Sequence, residues 1–151
     1  MKNVLVPALL LALMSGQASS AEPAAIAALR ARFPQGIPWM VKILDAAGQS
    51  LGSLEVRITS TQASSCLGDM NPGVQVDFVR KELAPANLPI AFHGVARFRD
   101  DTVKIDLTGG TCDAYSIMEG KIEADGSSTG DVFRFGMWGS TGIGTYRATV
   151  Q

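Results

Sequence analysis

The chain contains one histidine, His93, and this limits the acid–base chemistry that its side chains could perform. A Ser-His-Asp triad would need His93 beside a nucleophile such as Ser64, Ser65 or Ser140, and none of these serines lies in a Gly-x-Ser-x-Gly motif. One imidazole is also too few for a histidine-rich catalytic zinc site. We therefore expect His93 to be an exposed or half-exposed strand residue without a catalytic role.

Two pairs of carboxylates are close in the sequence, as the acid and base of a glycosidase could be. Asp100 and Asp101 lie in a predicted turn, where aspartate is favoured for local hydrogen bonds. Glu119 and Glu123 lie on one face of a predicted strand with Lys121 between them, which is typical of a solvated face. Neither pair indicates a catalytic cleft, so we expect a protein that is not an enzyme and that holds no cofactor.

Oxygen-bearing side chains near the first cysteine suggest a cation site. Asp69 and Asn71 have the spacing of the start of a calcium loop, although the glutamate that completes such a loop is missing. A disulfide at Cys66 would carry Asp113 towards Asp69. Calcium is favoured over zinc because only oxygen ligands are offered. The sequence thus leaves two interpretations, a simple Asn-Pro-Gly turn or a cation held by Asp69, Asn71 and Asp113.

Residues 1–21 have the layout of a cleavable secretory signal peptide. Lys2 gives a positive start, Val4–Met14 form an apolar run, and Ser19-Ser20-Ala21 offers a cleavage site of small residues. The apolar run is too short to form a spanning helix. We expect a mature chain that begins at Glu22 and is periplasmic or secreted.

The two cysteines, Cys66 and Cys112, are predicted to form one disulfide, because an exported chain meets oxidising conditions. No CxxC motif or Cys/His cluster indicates a metal or redox site instead. In the chain-entropy description, closing this loop stabilises a fold by about 4 kcal/mol.

The charge balance excludes some classes of partner. Without residues 1–21 the chain has 12 Lys and Arg against 14 Asp and Glu, because Lys2 is the one charge in that segment. The net charge of −2 provides no basic field for nucleic acid. No long apolar segment follows, aromatic residues are scarce, and charges occur on most predicted strands. We therefore expect neither nucleic-acid binding nor membrane insertion.

Hydrophobic periodicity divides the remaining chain into two parts. Residues 22–36 predict a short helix and a linker, because Ile26, Leu29 and Phe33 recur at helical spacing before a proline and a glycine. Residues 37–151 alternate apolar and polar side chains in about eight runs that are mostly joined by short turns. This second part predicts an all-β domain.

A small antiparallel up-and-down β-barrel is the preferred architecture, because closure removes exposed strand edges. A two-sheet β-sandwich is the alternative. We expect a polar loop from Thr59 to Gly73 and a last strand that begins at Gly144. The large side chains predicted to point inward are Trp39, Phe78, Phe92, Phe98, Phe133 and Phe135.

The segment Met137–Arg147 combines a tryptophan and a tyrosine with three glycines. It predicts either a glycine-rich hairpin with Trp138 packed at the barrel rim, or a projecting loop that contacts a partner. In the second case large amphipathic rings would supply contact area. The candidate partner-binding residues are Trp138, Ser140, Gly142, Gly144 and Tyr146.

Four of these residues, Ser140, Gly142, Gly144 and Tyr146, resemble the Ser/Gly-rich loop ending in tyrosine of bacterial periplasmic inhibitors of c-type lysozyme. The resemblance extends over Ser140–Tyr146. Those inhibitors are small disulfide-bearing barrels that insert this loop into the cleft of the enzyme. The resemblance therefore implies such a fold, an exported location and lysozyme as a candidate partner.

The leading functional prediction is an exported, non-catalytic protein that recognises another protein through loops on a disulfide-stapled barrel, as an inhibitor or an immunity protein does. The alternative is a carrier of a small apolar ligand, since an eight-stranded barrel either fills its interior or encloses one ligand.

Overall fold

The computed structural model describes residues 22–70, 72–83 and 88–151, with the backbone alone at Leu83. The predicted signal peptide, residues 1–21, lies outside this range. The described residues form one α-helix, a short 3-10 turn at Gly68–Met70 and eight strands. The bounds are α1 Ala24–Arg32, β1 Ile37–Asp45, β2 Ser50–Ala63, β3 Gly73–Leu83, β4 His93–Arg99, β5 Thr102–Asp106, β6 Tyr115–Ile122, β7 Ser128–Gly136 and β8 Gly139–Val150.

The eight strands form a closed antiparallel barrel in sequence order, which confirms the predicted fold and excludes the β-sandwich. Each strand pairs with its neighbours in the chain, and β8 returns to pair with β1. This closing pair runs in register from Trp39 opposite Val150 to Asp45 opposite Gly144. Closure leaves no free edge along the paired part of the wall.

Inward-facing side chains of all eight strands form one hydrophobic cluster. Its largest members include Trp39, Phe78, Phe98 and Tyr146. The barrel interior is therefore a packed core, as the alternation of apolar residues along the strands predicts. The burial of each of these side chains stabilises the fold by about 1.5–3 kcal/mol.

Helix α1 covers one end of the barrel. Ile26 and Leu29 lie three residues apart on one face of the helix, and both belong to the core cluster. The Arg30 guanidinium donates to the Thr59 carbonyl oxygen at 2.7 Å, which ties the helix to β2. We call this end of the barrel the helix end.

The opposite end carries four connections, because strand direction alternates around the barrel. We call it the rim. It consists of the β1–β2 turn (46–49), the described part of the β3–β4 link (88–92), the β5–β6 loop (107–114) and the β7–β8 turn (137–138).

Two strands extend into segments that their sequences did not predict as strand. β2 continues through Thr59 to Ala63, and β8 begins at Gly139 rather than Gly144. Most side chains in these extensions are exposed, so no apolar alternation marks them. Backbone pairing with β3 and β7 holds them in the sheet.

The β2–β3 connection crosses the outer wall of the barrel and covers part of it. Val95, Asp106 and Ile117 are neighbours on β4, β5 and β6, and all three are buried although they face away from the core. Ser65 of the connection donates to Asp106 Oδ2 at 2.6 Å. The connection therefore packs against the outside of the barrel like a strap.

The predicted disulfide is confirmed: Cys66 of this connection is bonded to Cys112 of the β5–β6 loop. The bond fastens the strap to the rim. A disulfide of this kind fits an oxidising compartment.

Candidate functional site

The β7–β8 hairpin projects from the rim and presents two exposed apolar side chains at its tip. Met137 and Trp138 form a two-residue turn between Gly136 and Gly139, and their exposed fractions are 87% and 99%. The sequence allowed Trp138 to pack at the rim, but the structure places it in solvent. An exposed indole at the tip of a hairpin is a large apolar surface available to a partner.

A third exposed apolar residue, Phe92, lies at the same end of the barrel, with 81% of its surface accessible. The sequence predicted that Phe92 faces the interior, and this was wrong, because it precedes β4 and belongs to the β3–β4 link. The Lys81 ammonium lies 4.9 Å from the centre of the Phe92 ring. This cation–π contact orients the Phe92 ring and leaves the ring accessible.

Aromatic packing on the outer wall supports the base of the hairpin. Phe135 on β7 stacks on Tyr115 of β6 with ring centres 4.7 Å apart, and Phe133 lies 6.3 Å from Phe135. Phe133 and Phe135 were predicted to point inward, which is a second error. Val132 is the buried core residue of this part of β7, so its neighbour Phe133 faces outward.

The five predicted contact residues lie in three different surroundings. Trp138, Ser140 and Gly142 are exposed on the projecting hairpin. Gly144 lies at the β1–β8 seam opposite Asp45. Tyr146 is a core residue with an exposed fraction of 2%, so we remove it from the contact surface.

Tyr146 is fixed in the core by a hydroxyl pair. Its phenol oxygen lies 2.8 Å from Ser128 Oγ, and both side chains are buried. Burial raises the pKa of Tyr146 to about 12, while the hydrogen bond to Ser128 opposes part of this shift. The ring that the lysozyme-inhibitor resemblance assigns to a partner therefore stabilises the barrel instead.

This pKa gives a prediction for alkaline pH. Above the ordinary tyrosine pKa of about 10, the unfolded chain releases the Tyr146 proton and the folded chain keeps it, so stability falls as pH rises towards 12. We expect Tyr146→Phe to cost about 1–2 kcal/mol at pH 7, because Ser128 loses its partner. Urea unfolding from pH 7 to 11 should show the gap between the two proteins narrowing above pH 10. A constant gap would contradict the assignment.

The structure describes two of the three predicted cation ligands, Asp69 and Asp113. Asp69 is paired with the Lys104 ammonium at 2.5 Å, and its backbone carbonyl accepts from Arg97. Asp113 is exposed in the β5–β6 loop, and Asn71 lies outside the described residues. Within the described ranges, no group of three or more His, Cys, Asp or Glu side chains is arranged to hold a metal ion. We therefore do not propose a cation here.

His93 is an exposed residue of β4, as predicted, and its Nδ1 lies 2.9 Å from Asp77 Oδ1. Gln75 also donates to Asp77, and this hydrogen bond, followed by the bond and charge of His93, lowers the pKa of the carboxyl. Of the candidate nucleophiles, Ser65 donates to buried Asp106 and Ser140 lies on the projecting hairpin. His93 and Asp77 therefore form a hydrogen-bonded pair on the surface of the barrel.

Two segments match the Gly-x-Ser-x-Gly pattern, 48–52 with Ser50 and 126–130 with Ser128. In hydrolases this motif turns a strand into a helix and exposes the serine. Here each segment runs from a hairpin turn into a strand, β2 in the first case and β7 in the second. The local structure is that of a hairpin, so the pattern carries no catalytic argument.

The sequence did not indicate two features, one beneath the strap and one at the tip of the projecting hairpin. Asp106 is buried although it is charged, and it accepts from Ser65 and from both the amide and the hydroxyl of Thr108. Met137 is exposed although it follows a strand of alternating apolar residues. The spacing of Asp106 and Thr108 is typical of a local Asx turn and could have indicated the first feature.

No helix within the residues that the structure describes has the length and apolar content needed to cross a bilayer. No family model matches this chain, and no curated protein and no solved structure is similar enough to it to count as a match.

Proposed function

We propose that this protein is an exported, non-catalytic binding protein that recognises another protein through its rim, in the role of an inhibitor or an immunity factor. The observation that carries the proposal is Trp138, which is 99% exposed at the tip of the β7–β8 hairpin. Tryptophan is one of the residue types enriched among the side chains that dominate protein–protein binding energies.

The surroundings of Trp138 support this proposal. Met137 is adjacent to it in the turn, and Phe92 and the disulfide-bonded β5–β6 loop lie at the same end of the barrel. The helix end is covered by α1, which leaves the rim as the end that presents large apolar side chains. A closed barrel holds these loops in place, which reduces the entropy cost of ordering them when a partner binds.

The carrier alternative receives no such support. The inward-facing side chains pack against one another as the core cluster, in the space that an apolar ligand would need. We therefore propose the binding protein alone.

The proposal is tested by capture of partners on immobilised protein from envelope and culture fractions, with c-type lysozyme as a purified test ligand. We expect saturable binding of a protein, weakened about 30-fold or more by Trp138→Ala. Val79→Ala is the matched control, since Val79 is an exposed apolar residue of β3 outside the rim connections. Both variants should unfold like the wild type, because neither side chain belongs to the core.

Two results would contradict the proposal. One is the absence of any saturable protein ligand in these fractions. The other is a partner whose affinity changes equally in the Trp138→Ala and Val79→Ala variants.

A further inference from the structure

One stretch of the barrel wall has a strand edge without a partner. The β1–β8 pairing ends at Asp45 opposite Gly144, whereas β8 begins at Gly139. From Gly139 to Gly142, β8 pairs with β7 on one side, and Ile143 lies at an irregularity of that ladder. No described strand lies on the other side of this segment. The projecting hairpin thus ends in an open edge of five residues.

The backbone groups on this edge can be assigned from the turn. Gly136 and Gly139 form the pair that closes the two-residue turn, and hydrogen-bonded pairs alternate along an antiparallel ladder. Thr141 therefore bonds to Arg134 of β7, whereas Ser140 and Gly142 direct their N–H and C=O groups away from β7. Such a row of unpaired groups is a template for another strand.

The chain does not protect this edge in the usual ways. Natural edges are blocked by lysine, by proline or by charges that point along the edge, and the segment Gly139–Ile143 contains none of these. Gly142 has open space where a Cβ would be, so this face of the segment is not covered by other described residues. Ser140, Thr141 and Gly142 are exposed.

A pocket of about 330 Å³ lies beside the edge. Arg134, Trp138, Thr141 and Ile143 line it. Arg134 is the one charged residue from Phe133 to Thr145, and it has no carboxylate partner among the described residues. The pocket therefore fits an acidic side chain next to an apolar one.

We propose that the Gly139–Ile143 edge of β8 binds an extended segment of the partner protein as an added β-strand. Main-chain hydrogen bonds from Ser140 and Gly142 provide affinity, and alternate side chains of the segment enter the Arg134–Trp138 pocket. The segment recognised has an acidic residue followed two positions later by an apolar one. This inference rests on the proposed protein-binding function and names the kind of segment that the rim takes.

The test uses a synthetic probe, the capped hexapeptide Thr-Glu-Thr-Val-Thr-Val, whose Glu and Val side chains share one face of a strand. Amide hydrogen exchange of the ¹⁵N-labelled protein is followed by NMR with and without the peptide. We expect exchange at Ser140 and Gly142 to slow in proportion to peptide occupancy. The peptide with Lys in place of Glu should bind about fivefold more weakly, and Arg134→Gln should remove this difference.

Two controls separate strand addition from simple contact. A peptide methylated at alternate backbone nitrogens keeps its side chains but cannot pair, and it should give no protection. Ser140→Pro removes one outward N–H and should abolish protection, whereas Ser140→Ala should retain it. If Ser140→Pro fails to fold, the methylated peptide still decides the question.

Unchanged exchange at Ser140 and Gly142 with every peptide would overturn the proposal, and so would equal protection by the methylated peptide. A partner that binds through Trp138 without slowing exchange at these two amides would overturn strand addition and leave the proposed function intact. Peptide binding at the edge, combined with no saturable protein partner, would support strand addition and contradict the proposed function.

Discussion

Replacing Gly144 by alanine is expected to destabilise the protein by about 3 kcal/mol, within the range of substitutions that force atoms into occupied space. Gly144 pairs with Asp45 at the last position of the β1–β8 seam. A Cβ built on Gly144 would overlap the backbone carbonyl oxygen of Leu44. Neither backbone can move away without separating the two strands that close the barrel.

Gly142→Ala is the matched control for this prediction. Gly142 lies two residues away on β8, and a Cβ built there meets nothing within 4 Å. Its stability should stay within about 0.5 kcal/mol of the wild type. Urea unfolding of the three proteins measures the difference directly, and equal midpoints for the two alanine variants would show that the seam does not need a glycine at 144.

Removal of the disulfide by the paired substitutions Cys66→Ser and Cys112→Ser is expected to cost about 4 kcal/mol, the entropy of a closed loop of this length. The bond joins residues 46 positions apart. We also expect faster amide exchange in the strap from Ser65 to Met70, because Cys66 fastens it to the β5–β6 loop. The inward core does not include the cysteines, so the barrel itself should persist.

Reduction of the wild type supplies the control. A reductant should lower the unfolding midpoint of the wild type to that of the double-serine variant, and it should leave the variant unchanged. Exchange that accelerates uniformly over all strands, with no excess at Ser65–Met70, would contradict the assignment of the bond to the strap.

Much of the architecture could be predicted from the sequence, because burial of one face imposes a period of two along a strand. The runs at Trp39–Ile43 and Val103–Leu107 show this alternation, and both supply core residues. The helix was readable from the spacing of Ile26 and Leu29. The disulfide followed from two cysteines in a chain that its first 21 residues predict to be exported.

The inward or outward direction of some side chains could not be predicted. Period two identifies two faces of a strand, and the apolar face is taken as the inner one. In β7 both faces carry apolar residues, because Val132 enters the core while Phe133 and Phe135 pack on the outer wall. One sequence cannot reveal that an outer aromatic stack exists until the register with Tyr115 is known.

Only part of the candidate site could be predicted, and the reason is related. The segment Met137–Arg147 was identified by its composition, but its residues have different surroundings. Trp138 is exposed at the tip and Tyr146 lies in the core. The difference depends on where β8 enters the barrel wall, and this is set by its pairing with β1 near Gly144. That pairing joins the first and last strands, so local patterns do not show it.

An amide-exchange footprint of the complex with the captured partner would show whether the rim recognises a protein. We expect slower exchange over the projecting hairpin, from Gly136 to Ile143, with unchanged exchange in α1 and in the β6–β7 turn at the helix end. Protection confined to the helix end, with none on the hairpin, would contradict it.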